Sequence, residues 1–305
     1  MSLKLTILGC HSATPRVNAH PTSQFLEIKN HHFLIDCGEG TQVQLRKYGI
    51  KFSKIKHIFI SHLHGDHYFG LIGIITTFGL LNRENALNIY GPKGLKEIIT
   101  LQLKLSKSWT NYPLIFHELH SKNSELLFED KKVEVHTIPL KHRIYTNGFL
   151  FKEKLGERKL NISTIENYKE IEVCDYQNLK NGRDFQLNSG EFIKNEILTL
   201  NPSPPKSYAF CSDTSYFPNI TSIINQSTCL YHEATFLKDK EDLATITKHS
   251  TAEQAAKIAS ESNVKKLIIG HFSSRYKNKQ LFLNEAQEVF KNTALAEEGK
   301  TYEIK

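Results

Sequence analysis

A layered α/β fold, with two β-sheets packed together and helices outside, is what this 305-residue sequence predicts. Three observations lead there. Short apolar or β-branched runs alternate loosely with helical segments. The alternation occurs in two similar halves. Hydrophobic residues make up 39% and charged residues 23%, enough to bury a sizeable core, which excludes a disordered chain.

KLTILG (4–9), QFLEI (24–28), HFLID (32–36) and HIFIS (57–61) read as strands bounded by turn residues. Gly38 and Gly40 break the chain, and QVQLRKYG then reads as a helix stopped by Gly49. HYFGLIGIITTFGL (67–80) has helical spacing. LNIYG (87–91) is a strand, and Pro92 is expected in the first turn of a helix reaching Lys104. VEVHTIPL (133–140), SYAFCS (207–212), CLYHEA (229–234) and VKKLIIG (264–270) read as further strands. TAEQAAKIASES (251–262) predicts a helix capped by Ser250 or Thr251, with an acidic residue just inside. A last helix is expected over roughly 283–298. Residues 152–196 break the pattern and predict an inserted, protruding arm on an otherwise single domain spanning 1–305. NPSPPK (201–206) closes this stretch as a rigid turn.

Composition narrows the class further. Lys and Arg number 39 against 32 Asp and Glu, a net charge of +7 that favours a polyanionic partner. Residues 152–196 carry eight basic and nine acidic side chains, so about +8 belongs to the rest. The five cysteines at 10, 37, 174, 211 and 229 form no Cys-rich zinc motif or redox pair, which suits a reducing cytosol. The N-terminal apolar run is too short for a signal peptide. The longest apolar stretch, Phe69 to Leu81, falls short of the roughly 18–20 residues that span a membrane. These features predict a soluble, cytoplasmic protein.

The chain carries 15 histidines. Four potential metal ligands fall within six residues of SHLHGDHYFGL (61–71). His62 and His64 are two apart, so they point the same way in an extended loop and can grip one cation. Asp66 and His67, beyond the Gly65 turn, face a second. Imidazole and carboxylate suit a borderline ion such as zinc. One loop cannot complete two coordination spheres. His142, Asp213 and His271 each follow an apolar strand, where binding residues collect. Singly, each reads more readily as a surface histidine or a capping aspartate; with the loop, they form a set.

HLHGDH followed by isolated His, Asp and His at strand ends resembles the metallo-β-lactamase superfamily. Within it the chain resembles the ribonuclease Z family over nearly its whole length. LIDCGEGTQVQL, PLKHR, FCSDT and GHFSSRY resemble that family's motifs, and YHEATF (231–236) and KHST (248–251) resemble its HEAT and HST motifs. The resemblance implies a four-layer αββα sandwich and an endonuclease that removes the 3′ trailer from precursor tRNA. It implies two zinc ions per chain: His62, His64 and His142 on one, Asp66, His67 and His271 on the other, Asp213 bridging. Asp36 would orient a ligand imidazole. Asp66 would also accept a proton, and Glu233 would pair with His249 near the leaving 3′ oxygen. Ser273 and Arg275 would grip phosphate. A homodimer is implied, with the arm of one subunit reaching RNA on the other.

Two departures stand out. EIEVCDYQNLKNG (170–182) keeps LKNG but lacks the family's Gly-Pro, which shifts the expected RNA contact to Lys152, Lys154, Arg158 and Lys159. The loop HSATPRVNAHPTS (11–23) resembles the family's Pro- and Arg-containing substrate loop only in part. Two other classes compete: a hydrolase of small phosphodiesters or other small esters on the same fold, and a non-catalytic RNA-binding protein with structural zinc. The first needs neither an arm nor HEAT and HST motifs. The second usually has closed, Cys-rich sites.

Overall fold

In the computed structural model, residues 3–14 and 16–305 are described; Pro15 of the early loop, with Met1 and Ser2, lies outside them. The chain divides into two compact units, residues 1–152 with 206–305, and residues 153–205.

The first unit holds two seven-stranded sheets. The strands are β1 (Leu3–Gly9), β2 (Ser23–Ile28), β3 (His31–Ile35), β4 (His57–Phe59), β5 (Leu87–Pro92), β6 (Leu114–Leu119), β7 (Leu126–Glu129), β8 (Val133–Pro139), β9 (Asn147–Glu153), β10 (Ser207–Cys211), β11 (Cys229–Glu233), β12 (Leu267–Gly270), β13 (Thr293–Leu295) and β14 (Thr301–Ile304). The first sheet runs β14-β1-β2-β3-β4-β5-β6 and the second β13-β12-β11-β10-β9-β8-β7. β3 to β6 are parallel, as are β10 to β13. Parallel runs align the carboxyl ends of the strands, and the loops that leave them gather at one end.

Residues two apart on a strand share a face. Phe33 and Ile35 of β3, Phe59 of β4 and Tyr90 of β5 join the core between the sheets, whereas Leu34, Ile58 and Ile89 join a second core on the outside of the first sheet. Aromatic rings knit the two sheets: Phe59 lies 5.3 Å from Phe149 and Phe33 lies 5.3 Å from Phe151, centroid to centroid.

Helices α1 (Thr41–Lys47), α2 (Gly65–Tyr68), α3 (Leu71–Leu80) and α4 (Leu95–Ser106) come from the first half of the chain; α5 (Glu241–Thr247), α6 (Ala252–Glu261) and α7 (Gln280–Val289) from the second. Leu45, Ile74, Phe78 and Ile99 from α1, α3 and α4 cover the first sheet. α6 and α7 pack against β11, β12 and β13. The result is helix, sheet, sheet, helix, the four-layer αββα arrangement expected. Thr251 caps α6: its Oγ1 accepts from Gln254 N–H at 3.2 Å, while Gln254 Oε1 accepts from Thr251 N–H at 3.1 Å. Such a cap contributes about 1 kcal/mol.

Three segments depart from expectation. The helix over 67–80 is two pieces, because the chain crosses Cys37 and Gly38 at Gly70, where a Cβ would lie 2.1 Å from the Gly38 carbonyl. Pro92 ends β5 opposite Leu119 instead of starting α4, and Gly94 at φ 97° makes the turn between them. The last helix spans Gln280–Val289; residues 293–295 instead add a parallel strand to β12.

In the second unit, Lys159–Leu160 pairs with Thr199–Leu200 and Phe185–Gln186 pairs with Phe192–Ile193. Ile165, Ile171, Leu179, Ile193 and Leu198 form its own small core.

Candidate metal centre and active site

The predicted residues leave carboxyl ends of strands in the first unit, except His249, which lies between α5 and α6. Asp36 follows β3, and the 61–67 segment follows β4. His142 follows β8, Asp213 follows β10, and His271 follows β12; Glu233 ends β11. Asp36, Asp213 and His271 take left-handed backbone angles, with φ 54°, 55° and 61°. Lys248, just before His249, has φ 61°. Each non-glycine residue held there costs about 1–3 kcal/mol. In each case the turn is at, or next to, a candidate site residue.

Four donor groups meet on one side: His62, His64, His142 and Asp213, all within 4.8 Å of one another. His64 Nδ1 is 3.0 Å from His62 Nε2 and 3.2 Å from His142 Nε2. Asp66, His67 and His271 form the second group. Asp213 stands between them. Its Oδ2 is 3.5 Å from His62 Nε2 and 3.8 Å from His142 Nε2, while its Oδ1 is 3.2 Å from both His67 Nε2 and His271 Nε2. Nε2 of His67 and Nε2 of His271 are buried and make no hydrogen bond. Buried polar atoms are rarely left so. Converging imidazole nitrogens and carboxylate oxygens, with two buried nitrogens unsatisfied, fit a pair of cations.

The far nitrogens are tied down. Asp36 Oδ2 faces His67 Nδ1 at 2.6 Å and accepts from Ser61 Oγ at 2.9 Å, and its Oδ1 accepts from Ser61 N–H at 2.7 Å. His142 Nδ1 donates to the Lys248 carbonyl at 2.8 Å. Thr235 Oγ1 lies 2.9 Å from His271 Nδ1 and donates to Glu233 Oε2 at 2.5 Å. These partners fix ring orientation and leave Nε2 turned inward.

Glu233 is fully buried. Its Oε1 faces His249 Nδ1 at 2.8 Å and accepts from Thr214 N–H at 2.9 Å. Burial works against the His249 charge, yet the Glu233 carboxylate overcomes it and lifts His249 to about 9. The His249 ring lies 5.1 Å from His142 and 5.4 Å from His271, so this acid–base pair borders both donor groups. Burial likewise opposes the charge on Asp213, but His271, His67 and His62 hold its carboxyl well below the usual range.

Ser273 is buried and its N–H bonds the Thr235 carbonyl at 3.2 Å, whereas Arg275 is exposed. A cleft of about 470 Å³ opens beside Asp66, lined by Arg16, His20, Glu39 and Phe69 among others. Sequence reasoning missed Ser61, Thr235, Thr214 and the Lys248 carbonyl. The only signal for Thr235 was its place two residues after Glu233 in HEAT.

Two face-to-face sheets with outer helices and this His/Asp cluster at the strand ends define a protein of the metallo-β-lactamase fold. The structure is similar to a metallo-β-lactamase-fold protein of Bacillus subtilis, with TM-score 0.69 and 16% identity over 99% of this chain and all of the other. It is also similar to the short form of human tRNase Z, with TM-score 0.72 and 26% identity over 99% of both chains. Ribonuclease Z of Bacteroides fragilis is 46% identical over 296 residues, 97% of each chain. Ribonuclease Z of Cytophaga hutchinsonii is 44% identical over 310 residues, all of this chain and 97% of the other. The profile of the family described as anti-Pycsar protein Apyc1 matches residues 3–164, ending before Asp213, Glu233, His249 and His271. The chain belongs to the ribonuclease Z family over nearly its full length, and through residues 3–164 to the Apyc1 sequence family as well.

Proposed function

We propose that the protein is a tRNA 3′ processing endonuclease that removes the 3′ trailer from precursor tRNA and leaves a 3′-hydroxyl on the tRNA. One observation carries the reading: Asp213 turns its two carboxylate oxygens to two separate donor groups, beside the Glu233–His249 pair. Full-length similarity to ribonuclease Z supports the substrate.

His62, His64, His142 and Asp213 would hold one ion, and Asp66, His67, His271 and Asp213 the other; the donors suit zinc. Two bound zinc ions would supply Lewis acidity, acidifying water and neutralising phosphoryl charge. Asp66 accepts the proton of the water that attacks phosphorus. The bond from phosphorus to the 3′ oxygen breaks, and His249 gives that oxygen a proton while Glu233 holds the imidazole in place. The phosphate stays on the trailer.

Residues 153–205 act as the RNA-binding arm in this reading. Arg158 there is held by Thr199 Oγ1 at 2.6 Å and Asn201 Oδ1 at 2.5 Å, beside Lys159 and Lys180. The active form is a cytoplasmic homodimer; no helix among the described residues is long and apolar enough to cross a membrane. A hydrolase of small phosphodiesters is the second reading, favoured by the −1 charge of residues 152–196 and the missing Gly-Pro. Incubating the protein with precursor tRNA and with a small activated diester separates the two. Cleavage at the trailer junction supports the first, and turnover of the diester alone supports the second.

A further inference from the structure

Cys10, His11 and Glu298 form another close group of potential ligands, which shares no residue with the paired donor groups. It does not suit a cation. Cys10 is buried and donates to the Ala296 carbonyl at 3.4 Å. Arg16 Nη2 lies 2.8 Å from His11 Nδ1 and Lys279 Nζ lies 3.1 Å from His11 Nε2, so positive charge already flanks the imidazole.

The group does something else. Glu298 lies between β13 and β14, far along the chain from the β1–β2 loop. Its Oε1 accepts from His20 N–H at 2.7 Å and its Oε2 faces His20 Nδ1 at 2.8 Å. Oε1 also lies 3.6 Å from His11 Nε2, and Gln44 Nε2 reaches Oε2 at 3.4 Å. The contacts then continue toward Asp66. A Cβ on Gly40 would lie 3.2 Å from the His20 ring. A Cβ on Gly38 would lie 2.7 Å from the Pro21 ring and 2.4 Å from the Asp66 carbonyl oxygen. The same loop supplies Arg16, Ala19, His20 and Pro21 to the cleft that Asp66 lines.

We propose that Glu298 is a positioning residue: through His20 and Pro21 it fixes the β1–β2 loop against the 38–40 turn and so sets the wall of the cleft beside Asp66. The kinetic consequence rests on the proposed action on RNA. Glu298 touches neither donor group, so metal binding and the chemical step are spared. A wall that contacts substrate in ground and transition states alike changes KM and leaves kcat.

The test compares the full-length protein with its Glu298→Ala and Glu298→Gln variants. Glu298→Ala keeps the metal content of the parent and hydrolyses bis(4-nitrophenyl) phosphate within about twofold, while KM for precursor tRNA rises about tenfold, as loss of a charge-assisted bond allows. Backbone amides of residues 16–20 exchange with deuterium about tenfold faster. Glu298→Gln, whose carbonyl still accepts from His20 N–H, recovers most of both. Unchanged exchange in Glu298→Ala, or a parallel loss of metal and of both activities, overturns the proposal. If the parent protein turns over the diester but leaves precursor tRNA intact, the proposed function fails, and hydrogen exchange still decides the role of Glu298.

Discussion

Asp36 and His67 meet through a 2.6 Å contact between Oδ2 and Nδ1, and both side chains are fully shielded from solvent. The contact turns His67 Nε2 toward Asp213 and Asp66. Asp36→Ala removes that restraint and should weaken metal binding by about 10- to 100-fold. Competition against a chelator of known affinity reads this directly. Unaltered affinity would make Asp36 a support for Ser61 alone.

Asp213 faces both donor groups, so its removal should affect both. Metal-replete parent protein should hold two ions per chain by elemental analysis, and Asp213→Ala should hold fewer and lose phosphodiester cleavage. A fully active parent with one ion per chain would contradict the paired assignment.

His249 sits on Glu233 at the border of both groups. A group that protonates the leaving oxygen contributes about 10²–10⁴-fold to the rate when that oxygen is a poor leaving group. His249→Ala should therefore damage cleavage of precursor tRNA far more than hydrolysis of a nitrophenyl diester, whose leaving group needs little protonation. Equal losses would remove His249 from this role.

His57 tests the fold apart from the centre. It lies between Phe128, at 4.7 Å, and Phe33, at 5.7 Å, and its buried Nδ1 has no hydrogen-bond partner. Burial, helped by His31 and His117, lowers it from 6.5 to about 4. The unfolded chain therefore binds a proton at this site before the folded chain does. Stability should decline as pH falls from 6.5 towards 4 and be unaffected by this group above that window. His57→Phe should flatten the decline in urea midpoint across the same window; an identical decline would show that other groups cause it.

Replacing residues 153–205 with a short Gly/Ser linker should leave metal content and diester hydrolysis in place while weakening precursor tRNA binding. Neutralising Lys152, Lys154, Arg158 and Lys159 should flatten the salt dependence of binding by roughly one log–log unit per lost phosphate contact. An unchanged slope and affinity would move the RNA surface to the rest of the chain, where the net positive charge lies.

The layered α/β class was legible because β3, β4, β5, β10, β11 and β12 are short apolar runs with turns behind them. β6 was not: its LIFHEL run alternates imperfectly, with Ile115 exposed at the sheet edge. The segment after Phe290 has helix-favouring Ala and Glu, yet Thr293–Leu295 gains more by pairing with β12, a tertiary preference that overrides local propensity. At the site, HLHGDH was visible because its residues are neighbours in sequence. The links from Thr235 to His271, from Lys248 to His142 and from Glu298 to His20 join residues 36, 106 and 278 positions apart. Local pattern carries no trace of such pairs; left-handed turns at Asp213, Lys248 and His271 bring several of them together.

Cleavage of precursor tRNA at its 3′ trailer is the activity on which the roles proposed for Asp66, Glu233 and His249 depend. The most direct measurement incubates the metal-replete protein with end-labelled precursor tRNA and maps both new ends at single-nucleotide resolution. One cut is expected at the trailer junction, with a 3′-hydroxyl on the tRNA and a 5′-phosphate on the trailer. Intact precursor tRNA alongside rapid turnover of a small phosphodiester, or a cut that leaves the phosphate on the tRNA, would contradict it.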